Sequence, residues 1–93
     1  MTHVHNQIRL ELSEPEHFVV RSWLAECVWI APDTLLDDLI ALKKHVAPSN
    51  PVDLTTAQAW LLLGYLEFVS ERPTAAQDLP VLDHICDILA NEL

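Results

Sequence analysis

Six prolines and a single glycine decide where this chain can hold a helix and where it must turn. Proline has no backbone N–H and fits a helix only in its first turn, so each one marks a boundary. Pro15, Pro32, Pro48, Pro51, Pro73 and Pro80 therefore divide the sequence into four stretches long enough for helices, after a leading segment free of proline. Gly64 falls inside the third stretch. In mid-helix it costs about 1 kcal/mol against alanine, a cost with a purpose if another helix must approach closely there.

The first stretch opens at Ser13, with Glu16 three residues on and Pro15 in the first turn, which is the pattern of a capping box. It predicts a helix over about 14–30. At 100° per residue Val20, Trp23, Leu24, Cys27 and Val28 share one face, while Phe18, Ala25 and Trp29 lie on the opposite one. A second helix, about 34–46, opens at Asp33. Its acids, Asp37 and Asp38, lie near the start and Lys43, Lys44 and His45 near the end, as the helix dipole favours. Leu35, Leu36, Leu39, Ile40, Leu42 and Val46 give it one buried face. Residues 47–52 read as an extended loop stiffened by Pro48 and Pro51. Asp53 is then expected to cap a helix over about 54–72, with Leu54, Ala57, Leu61, Tyr65 and Phe68 as its main stripe and Trp60, Leu63 and Leu66 on other sides. Asp78 is expected to cap the last helix, about 79–91, which turns Leu82, Ile85, Cys86, Leu89 and Leu93 inward and Asp83, His84, Asp87 and Asn91 outward.

The leading segment alternates: Val4, Asn6, Ile8, Leu10 and Leu12 face one way, His3, His5, Gln7, Arg9 and Glu11 the other. That is the period of a half-buried strand. No later segment reads as a second strand, so the arm is expected to pair with its twin across a two-fold axis or to extend another protein's sheet. The expected fold is all-α: a small four-helix bundle-like domain over 13–93, with an N-terminal extended arm or single β-strand over 1–12.

Composition bears on what such a fold would meet. Apolar residues make up 51% of 93, yet a chain this short buries only ~60–65% of its unfolded surface. Apolar surface is left over, and the expected partner is another protein or a second copy, a dimer first. Fourteen Asp and Glu against five scattered Lys and Arg give a net charge of −9, the wrong balance for binding phosphates or an anionic membrane. The acidity also permits mimicry of nucleic acid, the basis of an inhibitor. The longest apolar run, Ala59 to Leu63, is far short of the ~20 residues of a membrane span. Met1 to Gln7 is polar, unlike a signal peptide, and the two cysteines lie apart outside any metal-binding spacing, so the expected location is cytoplasmic.

Nothing in the chain spells a catalytic motif: there is no GxSxG, no HExxH and no Gly-rich phosphate loop. His84 and Cys86 are two apart on a helix and point away from each other. A free amino terminus before Thr2-His3 offers a square-planar nitrogen donor set, but removal of Met1 beside the small Thr2 abolishes it. The Asp37-Asp38 and Asp83/Asp87 pairs read as a helix start and a solvated face. No cofactor and no metal are expected. The expected function is that of a non-enzymatic protein-binding module, an adaptor, chaperone-like, inhibitor or immunity-type regulator, contacting its partner through Phe18, Trp29, Trp60 and Leu63 and through Ile8 and Leu10 of the pairing arm.

Two local resemblances accompany this reading. Gln7-Ile8-Arg9-Leu10 followed by two helices resembles the ribbon-helix-helix family of DNA-binding regulators. That resemblance implies a two-chain ribbon with Gln7, Arg9 and His5 reading bases. It covers about half the chain, and this sequence departs from it in helix length, in the missing inter-helix glycine and in charge. Trp60-Leu61-Leu62-Leu63-Gly64 and Ala76 are similar to a single tetratricopeptide hairpin, but Glu67 stands at the family's tyrosine and Pro80 interrupts the second helix. One hairpin does not make a repeat array.

Overall fold

The expected capping box at Ser13 forms: Glu16 N–H donates to Ser13 Oγ at 3.2 Å and Ser13 N–H to Glu16 Oε1 at 2.8 Å. It starts α1, Glu14–Ala25. The structure, a computed structural model, describes residues 7–93. Expectations that rest on Val4, Asn6 and the histidines His3 and His5 lie outside the described residues. Roughly three quarters of the described residues are helical.

After α1 come α2 (Cys27–Ile30), α3 (Asp33–Val46), α4 (Thr56–Ser70), a 3-10 turn (Pro73–Asp78) and α5 (Leu79–Glu92). Among the described residues five helices thus stand where four were expected, because the first breaks at Glu26. The Trp23 carbonyl there accepts from the Glu26 N–H at 3.1 Å and also from the Tyr65 hydroxyl of α4. A carbonyl held by a distant side chain is drawn off the regular ladder, and the chain turns. The break keeps Cys27 inside but rotates Val28 off the core stripe and out into solvent.

The largest correction concerns the arm. It does not wait for another chain: β1, Gln7–Leu10, pairs antiparallel with β2, Val52–Thr55, in the register Gln7 to Thr55, Ile8 to Leu54, Arg9 to Asp53 and Leu10 to Val52. Ile8, Leu10, Val52 and Leu54 face the core while Gln7, Arg9, Asp53 and Thr55 face out. Asn50 continues the ladder with its side chain, accepting from Leu12 N–H at 3.2 Å and donating to the Leu12 carbonyl. β2 uses residues expected to begin the third helix. The true cap is Thr55, whose capping box with Gln58 starts α4 two residues late.

α1 and α4 both pack against α3 and α5, so α1 and α4 lie across the core from each other, and β1 rests on α4 and α5. One buried cluster joins strands and helices alike, from Leu10 and Leu54 through Leu24, Leu39, Leu62 and Leu66 to Leu82, Ile85 and Leu89. α4 is turned differently from expectation. Its buried face is Ala59, Leu62, Leu63, Leu66 and Val69, with Tyr65, while Ala57 and Phe68 lie outside and Leu61 is half-buried. The sheet fixes this rotation, since Leu54 enters the core from a strand and not from the helix.

Candidate functional site

Several polar side chains, buried and exposed, are held by partners elsewhere in the chain. Trp23 Nε1–H donates to Asp78 Oδ2 at 2.9 Å, so Asp78 ties α1 to the start of α5 and makes no side-chain cap of its own. His17, buried on α1, donates from Nε2 to the Val46 carbonyl at 2.9 Å, and His45 to the Asp53 carbonyl at 2.6 Å. His84 Nδ1 lies 2.8 Å from Glu16 Oε2. The Ser13 backbone N–H, with smaller help from the Ser13 hydroxyl and His84, holds the Glu16 carboxyl below its ordinary range. Burial raises the Cys27 thiol, and burial followed by Glu67, Asp83 and Asp87 pushes Cys86 up to about 11. Burial likewise raises Tyr65 far above an ordinary phenol. These are groups kept neutral or tied to structure, not nucleophiles set beside a base. Among the described residues no three His, Cys, Asp or Glu side chains converge as a metal site.

The aromatic side chains tell a different story. Trp29 on α2 is 80% exposed, Phe18 on α1 61% and Trp60 on α4 57%. Each projects from a helix, where a backbone held in place keeps it outside, although 22 other apolar residues fill the interior. Arg21 lies over the Phe18 ring, its guanidinium carbon 5.8 Å from the centroid, a cation–π contact that covers one face only. Because α1 and α4 lie across the core from each other, the exposed aromatics divide between two parts of the surface: Phe18 and Trp29, with Val28, on α1 and α2, and Trp60 and Phe68 on α4.

Three expected contact residues are not on either surface. Ile8, Leu10 and Leu63 are buried in the common cluster, the first two by pairing with β2 and the third by the rotation of α4. Gln7 and Arg9 are exposed on β1, with Arg9 opposite Asp53 at 3.9 Å. Val28 and Phe68, expected on the core stripes of their helices, are exposed instead. Phe68 had a signal: it is linked to Trp60 through Gly64 at successive intervals of four residues, the spacing of one helix ridge.

Two depressions flank α4. One, on the α3 side, is lined by Asp38, Ala41, Leu42, Ala57, Gln58 and Leu61. The other, on the α5 side, is lined by Glu67, Ser70, Glu71, Asp83, Cys86 and Asp87. A third lies between α1 and the 3-10 turn, where the Nε of Arg72 is buried without a hydrogen-bond partner. No helix among the described residues is long and apolar enough to cross a membrane. No known protein family, no curated protein and no solved structure matches this chain.

Proposed function

We propose that this chain is a non-catalytic protein-binding module, an adaptor or inhibitor-like regulator that engages another protein through aromatic side chains on its helices. The observation that carries the reading is Trp29, four-fifths exposed on a helix end while Phe18 stands out from the neighbouring helix. A solvent-facing tryptophan gives up a large favourable burial, worth about 25 cal/mol per Å² of apolar surface, and aromatics supply much of the energy at protein interfaces. The partner is reached through helices rather than through the apolar residues of the arm, since Ile8 and Leu10 are buried in the core beside β2. A net charge of −9 disfavours a ribbon that reads DNA.

The test is a photo-crosslinking amino acid placed at position 29, 18 or 60 in the producing cell, with exposed Asp37 on α3 as the control position. Discrete adducts from the aromatic positions, absent at 37, are the expected result. A chain that sediments as a monomer at every concentration and yields no adduct from any of the three positions is not a protein-binding module.

A further inference from the structure

From the outer face of α4 we infer the kind of partner this chain takes: an amphipathic helix of another protein, apolar along one face and flanked by Lys and Arg. The inference rests on the protein-binding reading and deepens it.

The face is a single stripe. Ala57, Trp60, Gly64, Phe68 and Glu71 follow one another at intervals of three or four residues, all exposed, along roughly 20 Å of helix. At its centre Gly64 carries no side chain, and a Cβ placed there would meet nothing within 4 Å. The chain's own packing gives this glycine no purpose. One turn on either side stand the rings of Trp60 and Phe68, so the backbone at 64 is the floor of a saddle between two aromatic walls. Such a shape admits the side-chain ridge of a crossing helix at close range.

Charge selects the occupant. From Thr56 to Glu71 and from Leu79 to Leu93, α4 and α5 contain no Lys or Arg at all. Glu67, Glu71, Asp83 and Asp87 border the stripe on the α5 side, and Asp38 lines the groove on the α3 side. Two copies of this chain facing each other across the stripe would bring like charges together from molecules already at −9 each, a juxtaposition that disfavours the interface. Phosphate-bearing partners meet the same repulsion. A helix with apolar residues at i, i+3 or i+4 and i+7 and basic flanks satisfies both the saddle and the rims, in the helix-in-groove mode of peptide recognition.

The probe is a synthetic Leu/Lys amphipathic helix of about 18 residues, long enough to span the stripe, measured by calorimetry and by anisotropy of a labelled peptide. A Leu/Glu helix of the same pattern and a sequence-scrambled Leu/Lys peptide are the controls. Expected is micromolar binding of the Leu/Lys helix alone, weakened by added salt. Gly64→Gln, which has open space to occupy and is checked for an unchanged fold by circular dichroism, should weaken it about tenfold or more, as should Glu67→Lys with Glu71→Lys. Glu14→Lys, on α1 across the core from α4, should leave the affinity unchanged. Absence of binding, equal binding of the scrambled peptide, or affinity indifferent to Gly64→Gln overturns the inference. Crosslinks from position 29 that persist in that event leave the protein-binding reading standing and remove only this surface and this partner.

Discussion

Tyr65 shows how a single side chain can set a backbone turn in a different element. Its ring belongs to the core face of α4 and stacks near Phe68, with centroids 6.5 Å apart, while its hydroxyl reaches the Trp23 carbonyl at the end of α1. Removing only the oxygen keeps the packing and leaves the Trp23 carbonyl with the Glu26 N–H alone. Tyr65→Phe is therefore expected to lose about 0.5–1.5 kcal/mol of stability in urea denaturation, with α1 and α2 closer to a continuous helix by amide chemical shifts. A loss indistinguishable from zero would mean that something else holds the break at Glu26. Asp78 and Asn50 act in the same manner, each spending its side chain on a distant group, Trp23 Nε1 or the Leu12 backbone. Nothing in the neighbouring residues announces those pairings.

At the scale of elements, starts were easier to read than rotations. Ser13 with Glu16 placed the start of α1 through capping chemistry, and Asp33, the first residue of α3, placed that helix through charge at the positive end of its dipole, without a side-chain cap. Thr55 with Gln58 carried the same signal for α4 and was hidden by Leu54, whose spacing to the later apolar residues imitates a helix. α4 is apolar on most sides, so periodicity alone cannot tell its core face from its outer one. Gly64 now separates them. Standing on the open side, it has only its backbone freedom to lose, and Gly64→Ala should raise stability by about 1 kcal/mol, read as an increased Tm without change in far-ultraviolet circular dichroism. A destabilised Gly64→Ala would place a neighbour where none stands in the described chain.

For the molecule as a whole, acidity and burial act together at high pH. Cys86 sits half-buried among Glu67, Asp83 and Asp87, and burial first, these carboxylates second, lift its thiol from 9.0 to about 11. In the unfolded chain that thiol ionises near its ordinary value. The folded state therefore has its full stability relative to this group below about pH 9 and loses it as pH rises through about 11. Tyr65, also raised by burial, acts in the same direction at higher pH. The expected outcome is a urea midpoint that declines across pH 9 to 11, and a Cys86→Ala protein in which that decline is shallower. Identical profiles for the two proteins would show that the thiol takes no part in the alkaline transition.

The sequence by itself determined the helical character, the positions of the breaks at proline and most helix starts, and a surplus of apolar side chains that leaves Phe18, Trp29 and Trp60 in solvent. These follow from local chemistry: a missing N–H, a capping oxygen, a helical period. Only the tertiary structure decided that β1 finds β2 within its own chain, that Ile8, Leu10 and Leu63 are interior, and that Trp60, Gly64 and Phe68 share one open face. Strand pairing and helix rotation are settled by contacts between residues about forty positions apart, such as Arg9 with Asp53 and Trp23 with Tyr65. β1 declared itself through a longer alternating segment, whereas the four residues of β2 run straight into α4 and read as its first turn; a helix apolar all round learns which side is inside only from its neighbours.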